Sequence, residues 1–286
     1  MELSIIIVNY NTFQLTCNCI RSIKEKLQDV VYEIILVDND SSECDPSLFL
    51  KEFTDIKLIV SADNLGFTGG NNLGVAKAKG EYLLLLNSDT ELINNAPKIC
   101  LEHLKLHPEV GMTTPQLLYP DGRIQHSCRR FRTISWELLE IFPLYLLFPK
   151  KKKEKLMLHH YFDHKSFMDC DWVWGAFMLF PTSIIKKLPN QKLSDDFFMY
   201  CEDTLWCWEF KQLGYKIHFL PEAKVMHVHK GSTDKKKMYA VRKTGIKNHA
   251  LFMKKFYPDA RWYIFAAIFY TKQYAALWLG KLTGKI

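Results

Sequence analysis

Ser4-Ile5-Ile6-Ile7-Val8-Asn9-Tyr10-Asn11 is the stretch that decides the fold. An apolar run without polar alternation reads as a strand buried on both faces, as in a parallel sheet covered by helices on each side. Polar residues 9–12 end the run, and residues 12–27 follow with Leu15, Cys19 and Ile23 at helical spacing. Working outward, Glu33-Ile34-Ile35-Leu36-Val37 is a second buried strand ending at Asp38-Asn39-Asp40, and Leu58-Ile59-Val60 is a third. Residues 64–70 form a glycine-rich turn before a helix over residues 71–79, and Gly66, Gly69, Gly70 and Gly74 are read as permitting that turn. Tyr82-Leu83-Leu84-Leu85-Leu86 is a fourth strand, ending at Asn87-Ser88-Asp89. Strands and helices alternating at this pitch predict a right-handed, Rossmann-like, mostly parallel α/β sheet flanked by helices.

In open α/β sheets, ligands bind beyond the carboxyl ends of the strands. The polar clusters at residues 9–11, 38–40 and 87–89 occupy those ends and can converge on one crevice. Beyond them, residues 131–168 break the pattern, and regular structure resumes at residues 171–180. A helix is predicted from Cys201 to Gly214, with Trp206, Phe210 and Leu213 on one face and glycine at its cap. Residues 217–219 and 224–227 are predicted as two short strands. The expected organisation is a catalytic domain over 1–235, with a nucleotide-binding half to about 95 and an acceptor half carrying the insertion 131–168. A basic, aromatic, helical appendage over 236–286 completes it.

The composition is globular, with 48% apolar and 24% charged residues. The net charge of +7 is unevenly placed: one cluster holds Lys150, Lys151, Lys152, Lys153 and Lys155, another Lys235, Lys236, Lys237, Arg242, Lys243 and Lys247. Such clusters suit phosphates, although a solvated face accounts for them equally well. The eight cysteines show no CxxC pair and no framework spacing, so they read as reduced thiols in the cytosol. The chain opens without a basic leader or cleavage site and holds no apolar run of ~20 residues, so a protein neither secreted nor integral is expected.

Particular side chains carry the chemistry. Asp38, after an apolar strand, is suited to accept the imino N–H of a uracil or thymine ring; a turn or helix-capping aspartate is the plainer alternative. Asp89 is suited to hold a divalent cation that bridges a diphosphate, again with a turn role as the alternative. Glu202 and Asp203 begin a helix beside Phe197-Phe198-Met199-Tyr200, where desolvation raises a carboxylate pKa toward that of a general base. Acids at a helix start also serve as simple caps. His227 and His229 stand two apart, so either is placed to reach a metal. A hydride-transferring dinucleotide site would need glycines after the first strand, and residues 9–12 contain none.

Taken in order, these segments resemble the inverting family-2 glycosyltransferases, especially bacterial rhamnosyltransferase-like members. The resemblance covers residues 3–235 and rests on residues 4–11, 37–42, 64–67 with 70–72, 87–89, 174–176 and 197–203. It implies a GT-A fold, a dTDP- or UDP-sugar donor and Mg²⁺ or Mn²⁺. By position it implies that Asp38 reads the base and Asp40 lies near the ribose, with Asn9, Asn11, Asn64, Gly66, Asn71, Asn87 and Ser88 around the nucleotide. Trp174, Gly175 and Ala176 would line the sugar pocket. Asp89, His227 and His229 would serve the metal, Asp203 would be the base, and Glu202 would orient donor or acceptor. Two departures matter: Asn87 stands where many relatives carry aspartate, and Leu205 stands where they often carry a further acid.

Two rival classes share these features. One is a non-catalytic nucleotide-sugar-binding or scaffold protein, which would not need the Glu202 and Asp203 pair. The other is a nucleotidyltransferase, which would want a basic glycine-rich loop after the first strand. The apolar stretch before Lys150 and the aromatic, basic stretch 257–285 predict peripheral binding to the inner face of the membrane, where a lipid-linked or glycan acceptor would sit. Packing on the catalytic domain or a homodimer contact is the alternative for both segments, and no nucleic-acid partner is expected.

Overall fold

The computed structural model describes residues 1–142, 144–228 and 238–282. His229, Lys235, Lys236, Lys237 and Lys285 therefore lie outside the described residues. The chain divides into two compact units: Met1–Arg129 with Asp163–Ser232, and Arg130–Phe162 with Thr233–Ile286.

The first unit is built on β1 (Leu3–Asn9), β2 (Tyr32–Asn39), β3 (Lys57–Ser61) and β4 (Tyr82–Asn87). These pair in parallel in the order β3-β2-β1-β4, with Asn9 opposite Asp38 in register. Leu3, Ile5, Ile6 and Ile7 are completely buried, because α1 (Phe13–Lys26) covers one face and α3 (Gly66–Val75) packs on β1 from the other. Burying each of these isoleucines contributes ~1.5–3 kcal/mol.

The remaining strands are β5 (Thr90–Leu92), β6 (Val110–Leu118), β8 (Met168–Cys170), β10 (Phe177–Pro181) and β11 (Lys216–His227). β10 runs antiparallel to both β4 and β6 and sits between them. β6 then pairs in parallel with β11, which pairs antiparallel with β5 and β8. A two-stranded sheet joins β7 (Cys128–Arg129) to β9 (Trp172–Val173). Helices α4 (Ala96–Leu106) and α7 (Glu202–Gln212) complete this unit, with α2 (Leu48–Glu52) as a short turn of helix.

Four expectations are corrected. The third helix begins at Gly66 rather than Asn71: Gly66 alone of the four glycines has a left-handed backbone, at φ +70°, while Gly70 and Gly74 lie inside the helix. Their purpose is close approach, since a Cβ on Gly74 would stand 2.4 Å from Cγ2 of Ile6. The two short strands near the end are one strand, β11, whose pairing with β6 shifts register between Leu220 and Lys224 and so carries it past Pro221. On α7, Trp206 and Phe210 are buried but Leu213 is 39% exposed, because the helix ends at Gln212 and Gly214 turns the chain at φ +88°. Finally, Cys128 and Cys170 form a disulfide with Cα atoms 6.0 Å apart. They lie 42 positions apart, Cys128 in β7 and Cys170 in β8, and meet through the fold, so no spacing rule reveals the bridge.

The second unit is helical, with α5 (Ile134–Ile141), α6 (Lys150–Met157), α8 (Met238–Phe256) and α9 (Arg261–Leu282). Thr133 caps α5 by accepting from the Trp136 amide at 3.2 Å. Glu137 is fully buried and paired with Arg132, at 2.7 Å, and with Lys272; Glu140 pairs with the same two cations. Buried charges persist only when paired in this way. Phe131, Phe252, Phe256, Tyr257, Phe265 and Phe269 make a continuous aromatic cluster beside them. Among the described residues, no helix is long and apolar enough to cross a membrane.

Candidate active site

The site lies where β1, β2 and β4 end, all within the first unit. Asn9 organises the floor. Its Nδ2 donates to Asp38 Oδ2 at 2.7 Å and Ser41 Oγ at 2.9 Å, while its Oδ1 accepts from the hydroxyls of Thr12 and Thr16 at 3.0 and 2.9 Å. Asp38 is 1% exposed, and its second oxygen accepts from the Ser41 amide at 3.1 Å. Asn11 Oδ1 accepts from the amides of Ser42 and Glu43 at 2.8 and 3.0 Å, which ties the loop after β1 to the loop after β2. Asn11 and Asp40 are both left-handed and both exposed to solvent. Ser88 joins this network through its hydroxyl, 3.0 Å from that of Thr12.

The Asn64 to Asn71 segment behaves differently. Asn64 Oδ1 accepts from the Gly66 amide at 2.9 Å, and Asn39, which the sequence reading passed over, bonds both Asn64 and the Gly66 carbonyl at 3.1 Å. Gly66 admits no side chain, since a Cβ there would lie 2.3 Å from the Phe198 carbonyl. Asn71 is buried and turns back to donate to the Phe67 carbonyl at 2.8 Å, bracing its own helix.

Asp89 and His227 come together at the end of β4 and the end of β11. His227 Nε2 stands 3.4 Å from Asp89 Oδ1, and both side chains are nearly buried. Gln125 holds the other ring nitrogen, Nδ1, at 2.8 Å. A divalent cation fits this pair, which offers one anionic oxygen and one imidazole nitrogen and leaves positions for phosphate oxygens and water. No cluster of three or more histidine, cysteine or carboxylate groups suited to a metal occurs among the described residues. Asn87 takes its backbone N–H to the Ala176 carbonyl at 3.0 Å, and its side-chain oxygen is buried without a hydrogen bond.

Trp174, Gly175 and Ala176 form the break between β9 and β10. The Gly175 amide donates to Asp203 Oδ2 at 3.2 Å, and the Thr204 amide donates to Asp203 Oδ1 at 2.7 Å. Burial raises the Asp203 pKa above the ordinary carboxylate range, and these two amides oppose the rise. Glu202 is also raised, by burial first and by the neighbouring Asp203 charge second, and its Oε2 has no hydrogen-bond partner. The two carboxyls titrate as a pair, and the two amides favour the charged form of Asp203. Arg129, which the sequence reading did not single out, adds a favourable charge interaction with Asp203 and lies over the Trp172 and Trp174 rings at 5.7 and 5.5 Å. No local pattern marks Arg129; it reaches the site through the β7–β9 pairing.

A sheet of this order with this set of groups at its strand ends defines a class, and comparison with known proteins supplies the family. The chain belongs to glycosyl transferase family 2, whose family model matches residues 4–175. The chain spans 11% and 8% of the length of the first two relatives it matches. Rhamnosyltransferase WbbL of Escherichia coli K12 is 26% identical over 211 residues, covering 70% of this chain and 74% of that protein. Among solved structures, Staphylococcus aureus TarS residues 1–349 match with a TM-score of 0.54 at 14% identity, covering 89% of this chain and 66% of that one. GalNAc-T7 with UDP, GalNAc and Mn²⁺ matches with a TM-score of 0.57 at 17% identity, covering 86% of this chain and 48% of that one. At such identities the likeness establishes the fold, which is GT-A.

Proposed function

We propose that this chain is an inverting, cation-assisted glycosyltransferase, moving a sugar from a nucleoside-diphosphate sugar to a hydroxyl of a lipid-linked glycan or polysaccharide acceptor. The observation that carries the proposal is the continuity of the site. Asp203 is bonded to Gly175, the next residue Ala176 is bonded to Asn87, and Asp89 with His227 follows two residues on. A candidate base and a candidate cation pair are thus tied to one stretch of backbone, as transfer between a donor and an acceptor requires. A non-catalytic binder has no use for a buried carboxylate pair with raised pKa values.

In this reading Asp38 and Asp40 recognise base and ribose, with Asn9, Asn11, Asn64 and Asn71 shaping the loops around them. When bound by Asp89 and His227, a divalent cation would neutralise charge on the departing diphosphate. Asp203 takes the proton of the acceptor hydroxyl as that oxygen attacks the anomeric carbon opposite the diphosphate, and the centre inverts. Glu202, beside Asp203, orients donor or acceptor. The likeness to WbbL favours rhamnose as the sugar, and the UDP in the GalNAc-T7 structure favours a pyrimidine nucleotide. The chemistry is tested by incubating the purified chain with a panel of dTDP- and UDP-sugars and Mg²⁺ or Mn²⁺, with release of nucleoside diphosphate as the readout. Release from one donor, stimulated by acceptor, supports the proposal; release from none refutes it.

The acceptor is read as membrane-associated, at the cytoplasmic face. The exposed side of α9 carries Tyr263, Ile264, Tyr274, Trp278 and Leu279, with Arg261 and Lys281 near its ends. Lys272, midway along the helix, is turned inward to Glu137 and Glu140, which leaves that stripe uncharged. Aromatic residues between terminal cations suit the headgroup region of an anionic bilayer. A homodimer contact through the same stripe is the competing reading, and flotation with lipid vesicles separates the two.

A further inference from the structure

Gln125 lies between β6 and β7 and is 1% exposed. Its backbone is already satisfied, with the amide donating to Leu117 at 2.8 Å and the carbonyl accepting from Ser127 at 2.9 Å. Its side chain then makes two hydrogen bonds, and both go to His227. Nε2 donates to the His227 carbonyl at 2.6 Å, and Oε1 faces His227 Nδ1 at 2.8 Å.

This double contact fixes protons that the geometry alone does not display. A backbone carbonyl only accepts, so the end of the carboxamide facing it must be the NH₂ group. The oxygen end must then face the imidazole, and an amide oxygen only accepts, so His227 Nδ1 must carry a proton. In the neutral ring, Nε2 is therefore a lone pair, and it points at Asp89 Oδ1 from 3.4 Å. Two acceptors held this close repel unless a proton or a cation stands between them.

We propose that Gln125 is a positioning residue for the cation site, holding His227 in the Nδ1–H form with Nε2 turned toward Asp89. A metal-binding histidine generally donates its other ring N–H to a fixed acceptor, and loss of that acceptor weakens metal binding ~10–100-fold. Gln125 supplies the acceptor without adding charge, and its second bond, to the His227 backbone, keeps ring and main chain in one rigid frame. The proposal rests on the reading of Asp89 and His227 as the cation site.

The test measures Mn²⁺ affinity in the presence of UDP, together with the nitrogen NMR signals of the His227 ring in metal-free protein. The wild type is expected to show a protonated Nδ1. Gln125→Leu, which keeps the volume and loses both bonds, is expected to bind Mn²⁺ ~10–100-fold more weakly and to lose the fixed tautomer. Gln125→Glu retains an acceptor for Nδ1–H and is expected to stay within a few fold of wild type. An unprotonated Nδ1 in the wild type overturns the proposal, and so does wild-type Mn²⁺ affinity in Gln125→Leu. If that variant fails to fold, the wild-type ring signals and Gln125→Glu still decide the matter. Asp89→Ala and His227→Ala separate the two levels. If both bind Mn²⁺ normally, the cation-site reading fails and the proposal with it; if both lose Mn²⁺ while Gln125→Leu does not, only the role of Gln125 fails.

Discussion

Asp203 Oδ2 accepts a hydrogen bond from the Gly175 amide at 3.2 Å, across 28 residues of sequence. That bond joins the first turn of α7 to the break between β9 and β10. The fit around Gly175 is close: a Cβ there would sit 3.2 Å from the Phe67 ring, which would have to give by a few tenths of an ångström, and 3.6 Å from Asp203 Cβ, an ordinary contact. Burial raises the pKa of this carboxyl, and the Thr204 amide, then the Gly175 amide, oppose the rise.

The pairing of Asp89 with His227 leads to the first prediction. Asp89→Ala removes the anionic member, and the protein should lose about 99% or more of its transfer activity, because electrostatic stabilisation of a leaving group is worth ~10²–10³ in rate. Folding should be little changed, since Asp89 contributes no apolar burial, and circular dichroism with a thermal melt checks this. Wild-type protein stripped with a chelator should behave likewise and recover with Mn²⁺ or Mg²⁺. Full turnover after chelation would remove the cation from the account.

Two buried histidines should each weaken the fold in acid. His218 is buried against His103, and its pKa is pushed down to about 4, first by burial and then by His103. His249, in the second unit, is pushed down to about 3 by burial first, with Arg132 adding to it. Both rest neutral in the folded state and take up protons more readily when unfolded, at the ordinary histidine value of 6.5. Their contribution is therefore fully present above pH 6.5 and is lost as pH falls from 6.5 toward 4. The raised Glu202 and Asp203 carboxyls act in the opposite sense over the same range, so the test is a difference: the urea midpoint of His218→Phe should gain on that of the wild type as pH falls from 6.5 to 4.5. A difference that stays constant or shrinks over that range would contradict this assignment.

Binding to vesicles tests the exposed stripe on α9. The chain should float with anionic vesicles and less with neutral ones, and binding should weaken with salt because each lysine near an anionic leaflet contributes ~1 kcal/mol. The double change Trp278→Glu and Leu279→Glu alters residues that are 63% and 54% exposed, so it should abolish flotation without unfolding the protein. Equal recovery with neutral and anionic lipid, or a stable dimer lost in the same variant, would favour the homodimer.

The sequence carries the parallel half of the sheet openly, because strands buried on both faces read as continuous apolar runs, as Ile5 to Val8 and Leu83 to Leu86 do. The antiparallel entry of β10 between β4 and β6 was not legible, since strand order depends on which edges meet rather than on any local pattern. The site divides in the same way. Asp89 and Asp203 stand out as acids at element ends, a position that is visible along the chain. Asn9 and Asn71 also stand at polar positions, yet their amides turn inward to brace loop and helix, and only three-dimensional contacts distinguish bracing from binding. Gln125 and Arg129 sit in segments without periodicity and gain their meaning from His227 and Asp203, partners 102 and 74 residues away in sequence.

The central claim is that Asp203 removes the acceptor proton, and the most direct measurement compares donor binding with sugar transfer in Asp203→Asn. The asparagine keeps the shape of the side chain and can still accept from the Gly175 amide, but it cannot take up a proton. Donor affinity should stay within a few fold of wild type while single-turnover transfer slows at least ~100-fold, the lower bound for losing a general base. Transfer by Asp203→Asn at the wild-type rate, or a greater loss in Glu202→Gln than in Asp203→Asn, would contradict it.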